Sequence, residues 1–404
     1  MSGGGRDTTG LARDTLYVAA GRDTDLPGRS VNPPIVRAST FLFNSLQELE
    51  SAAKAPFDGA FYGRLGTPTT FAFERAMAQA EGGYRSIATG SGLSAIVAVL
   101  VGFLKTGDHA LIVDSVYEPV RRFCHRVLAG MGVEVTFYDP GLGAAELEPL
   151  IRTTTRLIYM ESPGSGTFEV QDVPAIVALA KRRQLVTAMD NTWATPLYYR
   201  PIEHGVDISI HAATKYIVGH SDAVLGVVTT NEATWGPVRQ ASQDLGASAG
   251  SEECNLGLRG LHTLAVRMRQ HEATALTLAR WLAEQPAVSR VFHPALESSP
   301  GHAHWKRDFD GSSGLFSIEL GGMSATAFDA FTSALKLFSI GFSWGGFESL
   351  ILPAHPEKTR TAPAWQGTGP LLRLHAGLED PADLLADLQA GFVAAARTKD
   401  TGSP

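Results

Sequence analysis

The sequence predicts an α/β fold: a mostly parallel sheet with helices on both faces, an irregular N-terminal arm before it and a smaller α+β domain after it. Two observations carry this. Between about residues 84 and 230, short apolar strands alternate with helix-length segments, the rhythm of a parallel sheet. Beyond Gly260 the rhythm gives way to one long helical pattern and scattered strands. The 404 residues leave room for two domains. They divide as an arm over 1–62, a large domain over 63–260 and a small domain over 261–404.

Taken in order, residues 1–10 are polar and Gly/Thr-rich, which predicts disorder. The stretch from Leu11 to Arg64 carries Pro27, Pro33, Pro34 and Pro56 and no sustained period. Long irregular arms are uncommon unless they do something, such as clasping a second subunit. A helix is expected over Thr70 to Gln79. Tyr84 to Ala95 then reads as strand, glycine turn and the start of an apolar helix, a turn that offers free amides to a phosphate. The rhythm continues with strands at 109–114, 133–138, 156–161, 185–190, 207–210 and 223–230. Helices are expected at 116–129, 144–152 and 173–183. In the small domain one helix is expected over 261–284, with others near 325–335 and 381–395. Strands are expected at 288–292, 314–320 and 371–375.

Composition narrows the function classes. The net charge is −7, with no Lys/Arg run, so no face suits nucleic acid. No signal-like segment or unbroken bilayer-length apolar run is visible, which predicts a cytoplasmic protein without a membrane partner. Cys124 and Cys254 read as buried thiols, and no metal-ligand cluster is expected.

The chemistry concentrates between Asp207 and Asp222, D-I-S-I-H-A-A-T-K-Y-I-V-G-H-S-D. Lys215 follows a strand within small and apolar residues, and buried lysines need a partner or a task. Burial lowers an amine pKa and frees it to act as nucleophile and base, as Schiff-base chemistry requires. Upstream, an apolar strand ends at Asp190, and the carboxyl ends of strands are where open α/β sheets bind ligands. A lysine and a carboxylate so placed suit pyridoxal 5'-phosphate: the amine takes the aldehyde and the carboxylate keeps the ring nitrogen protonated.

The segment from Asp207 to His220 resembles the lysine segment of the fold-type-I, pyridoxal-phosphate-dependent enzymes of cysteine and methionine metabolism. There an acidic-apolar start leads through two small residues to Thr-Lys-aromatic-apolar-any-Gly-His, and every position fits. The resemblance runs from about Asp14 onward and implies a seven-stranded sheet. It implies that Lys215 carries the cofactor, that Asp190 holds its ring nitrogen and that Tyr117 stacks on the ring. Gly92, Leu93 and Thr214 are implied to bind its phosphate. Ala212 stands where many relatives carry a second phosphate-binding serine. Tyr62 and Arg64, in Tyr62-Gly63-Arg64, match a pair that binds the phosphate of a neighbouring subunit, which implies a homodimer or homotetramer. Arg373 matches the arginine that grips the substrate α-carboxylate. His211, His220 and His375 read as structural.

The run Ser343-Trp344-Gly345-Gly346-Phe347-Glu348-Ser349 and the loop Glu161-Ser162-Pro163-Gly164-Ser165 resemble the β-lyase members. The implied substrate is a sulfur amino acid and the implied reaction is β-elimination from L-cystathionine. Lys215 would move the protons, Ser343 would position the lysine and the carboxylate, and Trp344 would wall the distal substrate. Tyr117 and Tyr62 are implied to take part in catalysis. γ-Elimination from cystathionine or methionine, a broader cysteine-S-conjugate lyase, and a non-catalytic binding protein on the same fold stay open.

Overall fold

The computed structural model describes residues 10–22 and 30–398. The polar start expected to be disordered lies, up to residue 9, outside the described residues, as does Pro27. Seven strands form the larger sheet: β1 (Arg85–Thr89), β2 (His109–Val113), β3 (Glu134–Tyr138), β4 (Thr155–Glu161), β5 (Val186–Asp190), β6 (Ile208–His211) and β7 (Gly226–Thr230), in the order β1-β7-β6-β5-β4-β2-β3. Only β7 runs against its neighbours, so the sheet is mostly parallel. Its central strands are buried almost throughout, Arg156 at the start of β4 apart, which is why they read as near-continuous apolar runs. This arrangement has one consequence for function. The carboxyl ends of β1, β2, β4, β5 and β6 all lie along the same edge of the sheet.

A second sheet joins β8 (Val288–Phe292), β9 (Leu315–Leu320), β10 (Ser339–Ile340), β11 (Leu350–Ala354) and β12 (Leu371–His375) in the order β10-β11-β12-β9-β8. Helices Ala325–Ala334, Pro381–Arg397 and Leu264–Ala283 cover it, around a core that includes Phe316, Ile318, Phe331, Leu372 and Leu388. Among the described residues, no helix is long and apolar enough to cross a membrane.

Several elements depart from expectation. The helix expected over 261–284 runs from Leu264 to Ala283, and a further helix that was not expected, Ser251–His262, precedes it across a break at Thr263. The helix expected over 116–129 begins at Glu118, with Pro119 in its first turn, and widens into a π-turn over Cys124–Leu128. The arm carries two helices, Arg13–Ala19 and Leu46–Ala53; the second buries none of its residues, so no core period marks it. A helix over Glu232–Asp244 also falls where none was expected, with Pro237 inside it.

The break at Thr263 has a physical use. Arg267, one turn on, is buried and reaches back, donating from Nη2 to the Gly260 carbonyl at 2.7 Å, from Nε to Thr263 Oγ1 at 3.1 Å and from Nη1 to the Tyr216 carbonyl at 2.8 Å. It ties the chain after β6 to the helix pair. Gly219, at φ +72°, leaves the guanidinium its space, since a Cβ there would overlap it. Replacing Arg267 by leucine takes the donor from the buried Tyr216 carbonyl, while Gly260 keeps Thr263. Arg267→Leu is expected to lower stability by about 2 kcal/mol or more in urea unfolding.

Candidate active site

The chain leaves β6 through a tight turn. Lys215 N–H donates to the Ala212 carbonyl at 3.0 Å, Val218 N–H to Ala213 at 2.9 Å and Gly219 N–H to the Lys215 carbonyl at 2.8 Å. The turn aims a half-buried Lys215 across to the second sheet. There its Nζ donates to Ser343 Oγ at 2.8 Å and lies 5.3 Å from the centre of the Trp344 ring. Burial brings the amine pKa down to about 8, the Arg373 charge adds to the fall, and Asp190 opposes it. A fraction of the amine is therefore free base near neutrality, which an ordinary surface lysine cannot supply.

Asp190 ends β5 and is buried, its Oδ1 accepting from Thr192 N–H at 2.9 Å. Burial raises its pKa, and the Thr192 bonds, His211 and Lys215 pull the other way. Directly beside it in the sheet register stands Glu161, the last residue of β4. Glu161 accepts from the Tyr117 N–H at 2.7 Å and from the Ser165 hydroxyl. Burial, then the Asp190 charge, pushes its carboxyl up to about 8. Sequence alone assigns Glu161 no task; its one signal is its position as the acidic end of the strand preceding β5. Tyr117, 47 % exposed, stands just before helix Glu118–Phe123. Burial raises its phenol pKa, with Glu161 and Asp190 adding to the rise.

The glycine turn after β1 is built as a cradle. Helix Gly92–Phe103 is capped by Ser91, whose hydroxyl accepts from Ser94 N–H at 3.1 Å. The amides of Gly92 and Leu93 have no acceptor within the helix and point to its open end. Gly92 is required by contact, since a Cβ would lie 2.5 Å from that of Ala212. Thr214 stands differently from expectation. Its hydroxyl donates to the Leu225 carbonyl at 3.1 Å and accepts from Leu225 N–H at 2.9 Å, so it closes the loop before β7.

Arg373 lies mid-strand in β12 and donates to the carbonyls of Phe342 at 2.8 Å and Ser343 at 3.3 Å. Burial lowers its pKa to about 10, and no carboxylate pairs with it among the described residues. It is a desolvated cation without a counter-charge, suited to a bidentate carboxylate. Lys215, Asp190, Tyr117, Ser343, Trp344 and Arg373 therefore gather in one cleft, with Gly92 packed against Ala212 at its edge. Tyr62 and Arg64 do not join them. Tyr62, 45 % exposed, bridges to Thr40, and Arg64 donates to the Gln243 carbonyl at 3.1 Å. His220 Nδ1–H donates to the Val218 carbonyl of its own turn at 2.7 Å, and His211 is buried against Glu81.

These groups fit pyridoxal phosphate: an amine of lowered pKa for the aldehyde, a buried carboxylate for the ring nitrogen, and unpaired helix amides for the phosphate. Comparison with known proteins agrees. Residues 14–393 match the family described as Cys/Met metabolism PLP-dependent enzyme. The chain is similar to a putative cystathionine beta-lyase of Rhizobium johnstonii, at 47 % identity over 90 % of this chain and 92 % of the relative. It is 44 % identical to a cystathionine beta-lyase of Bordetella avium, over 95 % of this chain and 98 % of the relative. A solved cystathionine gamma synthase of Xanthomonas oryzae pv. oryzae, in complex with aminoacrylate and cysteine, superposes with a TM-score of 0.88 at 31 % identity. That match covers 96 % of this chain and 100 % of the other.

The electrostatics of the cleft are open to test. Because the Arg373 charge helps depress the Lys215 amine, Arg373→Gln should raise its pKa above about 8. The pH dependence of amine-reagent labelling at Lys215, read by mass spectrometry, should shift to higher pH.

Proposed function

Since the chain belongs to the Cys/Met metabolism PLP-dependent enzyme family, we propose that it is a carbon–sulfur lyase that cleaves L-cystathionine by β-elimination, giving homocysteine, pyruvate and ammonia. The observation that carries this reading is the seating of the Ser-Trp-Gly-Gly loop: Ser343 Oγ on the Lys215 amine, with the Trp344 ring beside it. The β-lyase names of the relatives support it.

In this reading Arg373 binds the α-carboxylate of the amino acid and so sets the direction of the Cα–H bond. Lys215 Nζ, neutral for part of the population near pH 8, removes the Cα proton. Pyridoxal phosphate bound in the cleft supplies the sink for the electron pair left on Cα. Asp190 holds the ring nitrogen in its protonated state, and Tyr117 covers the ring face. As the Cβ–S bond breaks, Lys215 returns the proton to the departing sulfur, and Ser343 keeps Nζ aimed through both transfers. Trp344 walls the distal half of the substrate and keeps water from the amine. Gly92 and Leu93 donate to the phosphate, and Thr214 serves it only by releasing Leu225. Tyr62 and Arg64 act across a subunit boundary, in a homodimer or homotetramer, on the partner's phosphate. The exposure of Tyr62 and the turning of Arg64 to the Gln243 carbonyl support that role.

Product analysis tests the reading directly. Purified holoenzyme given cystathionine should release pyruvate with homocysteine; 2-oxobutyrate with cysteine would overturn it in favour of γ-elimination. Lys215→Ala should lose at least about 100-fold in turnover. Trp344→Phe should raise the KM for cystathionine or the fraction of 2-oxobutyrate, and unchanged values would remove tryptophan from this role.

A further inference from the structure

The lysine is held in place from the other sheet by two residues of one strand. Arg373 and His375 are two apart on β12, so they share a face. Arg373 grips the start of the 342–348 loop through the carbonyls of Phe342 and Ser343. His375, buried, grips the rest. Its Nε2 accepts from Gly345 N–H at 3.1 Å and its Nδ1–H donates to the Glu348 carbonyl at 3.1 Å. With one nitrogen accepting and the other donating, the ring is neutral in a single tautomer. A protonated ring would have no acceptor for Gly345.

Gly345 transmits this to the lysine. It adopts φ +89°, and a Cβ there would lie 2.9 Å from the Lys215 carbonyl carbon and the Tyr216 nitrogen. The Gly345 peptide therefore rests on the lysine's own backbone. Two residues earlier, Ser343 Oγ receives the Nζ–H. We propose that His375 is a positioning residue for the reaction: through Gly345 it keeps Ser343 and Trp344 seated on Lys215. This assignment rests on the lyase reading above.

The groups facing His375 from the packed elements are His271, with ring centres 5.2 Å apart, Tyr216 at 5.8 Å, and the Arg373 and Lys215 charges. Burial, then His271, lowers its pKa, in keeping with the neutral tautomer. His375 touches neither substrate nor cofactor in this assignment, so its effect must pass through the lysine.

The test compares His375→Phe, which keeps an aromatic ring against Tyr216 and His271 but neither hydrogen bond, with His375→Gln, whose amide can both accept and donate. The phenylalanine variant should lose about tenfold or more in kcat, with a smaller rise in KM, because Trp344 is loosened while Arg373, which binds the α-carboxylate, is untouched. Loosening the loop admits water to Nζ, so the limb of the kcat–pH profile set by the Lys215 amine should move upward from about 8. The glutamine variant should recover part of both effects. The pH titration of the bound cofactor's visible absorbance should also move upward in His375→Phe. That measurement needs no substrate, so it separates failure of this assignment from failure of the cystathionine reading. A folded His375→Phe holoenzyme with wild-type kcat, pH profile and titration overturns the proposal. If that variant does not fold, a His375→Leu holoenzyme, which can make neither hydrogen bond, with wild-type values in all three overturns it equally.

Discussion

One contact organises the cleft: the peptide of Gly345 pressed against the backbone of Lys215 and Tyr216. It exists only because residue 345 has no side chain and can take a positive φ. Everything that shapes the amine follows from it. Ser343 and Trp344 reach Nζ because the loop that carries them cannot retreat, and the loop stays there because β12 holds it. From the opposite side Arg267 clamps the Tyr216 carbonyl. The lysine is thus aimed by packing and peptide hydrogen bonds, leaving its own amine free for chemistry.

The second constraint is charge in a shared low-dielectric space. Asp190 and Glu161 sit side by side at two strand ends and both are pushed toward their neutral forms by burial. Across the cleft, Lys215 and Arg373 are pushed toward theirs for the same reason. Such a cleft is unsatisfied on both sides, and ligand charges of opposite sign relieve it. An amino-acid carboxylate meets an unpaired guanidinium, and a protonated ring nitrogen meets a buried carboxylate.

A third feature joins the two halves away from the lysine. Asp114, just past β2, is fully buried and accepts from Arg121, from Arg360 Nε at 3.2 Å, from the Thr361 hydroxyl and amide at 2.7 Å, and from Ala362 N–H at 2.8 Å. These bonds hold its carboxyl below the usual range despite burial. They pin the segment between β11 and β12 to the strand end that leads into Tyr117. Its members were not legible in the sequence, because an Asp and an Arg separated by 246 residues carry no mutual signal.

What the sequence determined by itself was local. Strand runs, the glycine turn at Gly90–Gly92 and the Thr-Lys-aromatic segment follow from periodicity and residue chemistry within a few positions. The long resemblance then named Lys215, Asp190 and Arg373, and the structure brings those three to one cleft. Tertiary structure alone decided which hydroxyl meets the amine, since Ser343 is 128 residues from Lys215. It decided that the Thr214 hydroxyl is spent on Leu225, that Glu161 stands beside Asp190, and that His375 splints the loop. It also placed a separate helix, Ser251–His262, before the long one, with a break at Thr263 across which Arg267 turns back. The physical reason is the same in each case: propensity and pattern act between neighbours in the chain. The partner of a buried polar group is chosen by whichever distant element close packing brings within 3 Å or so.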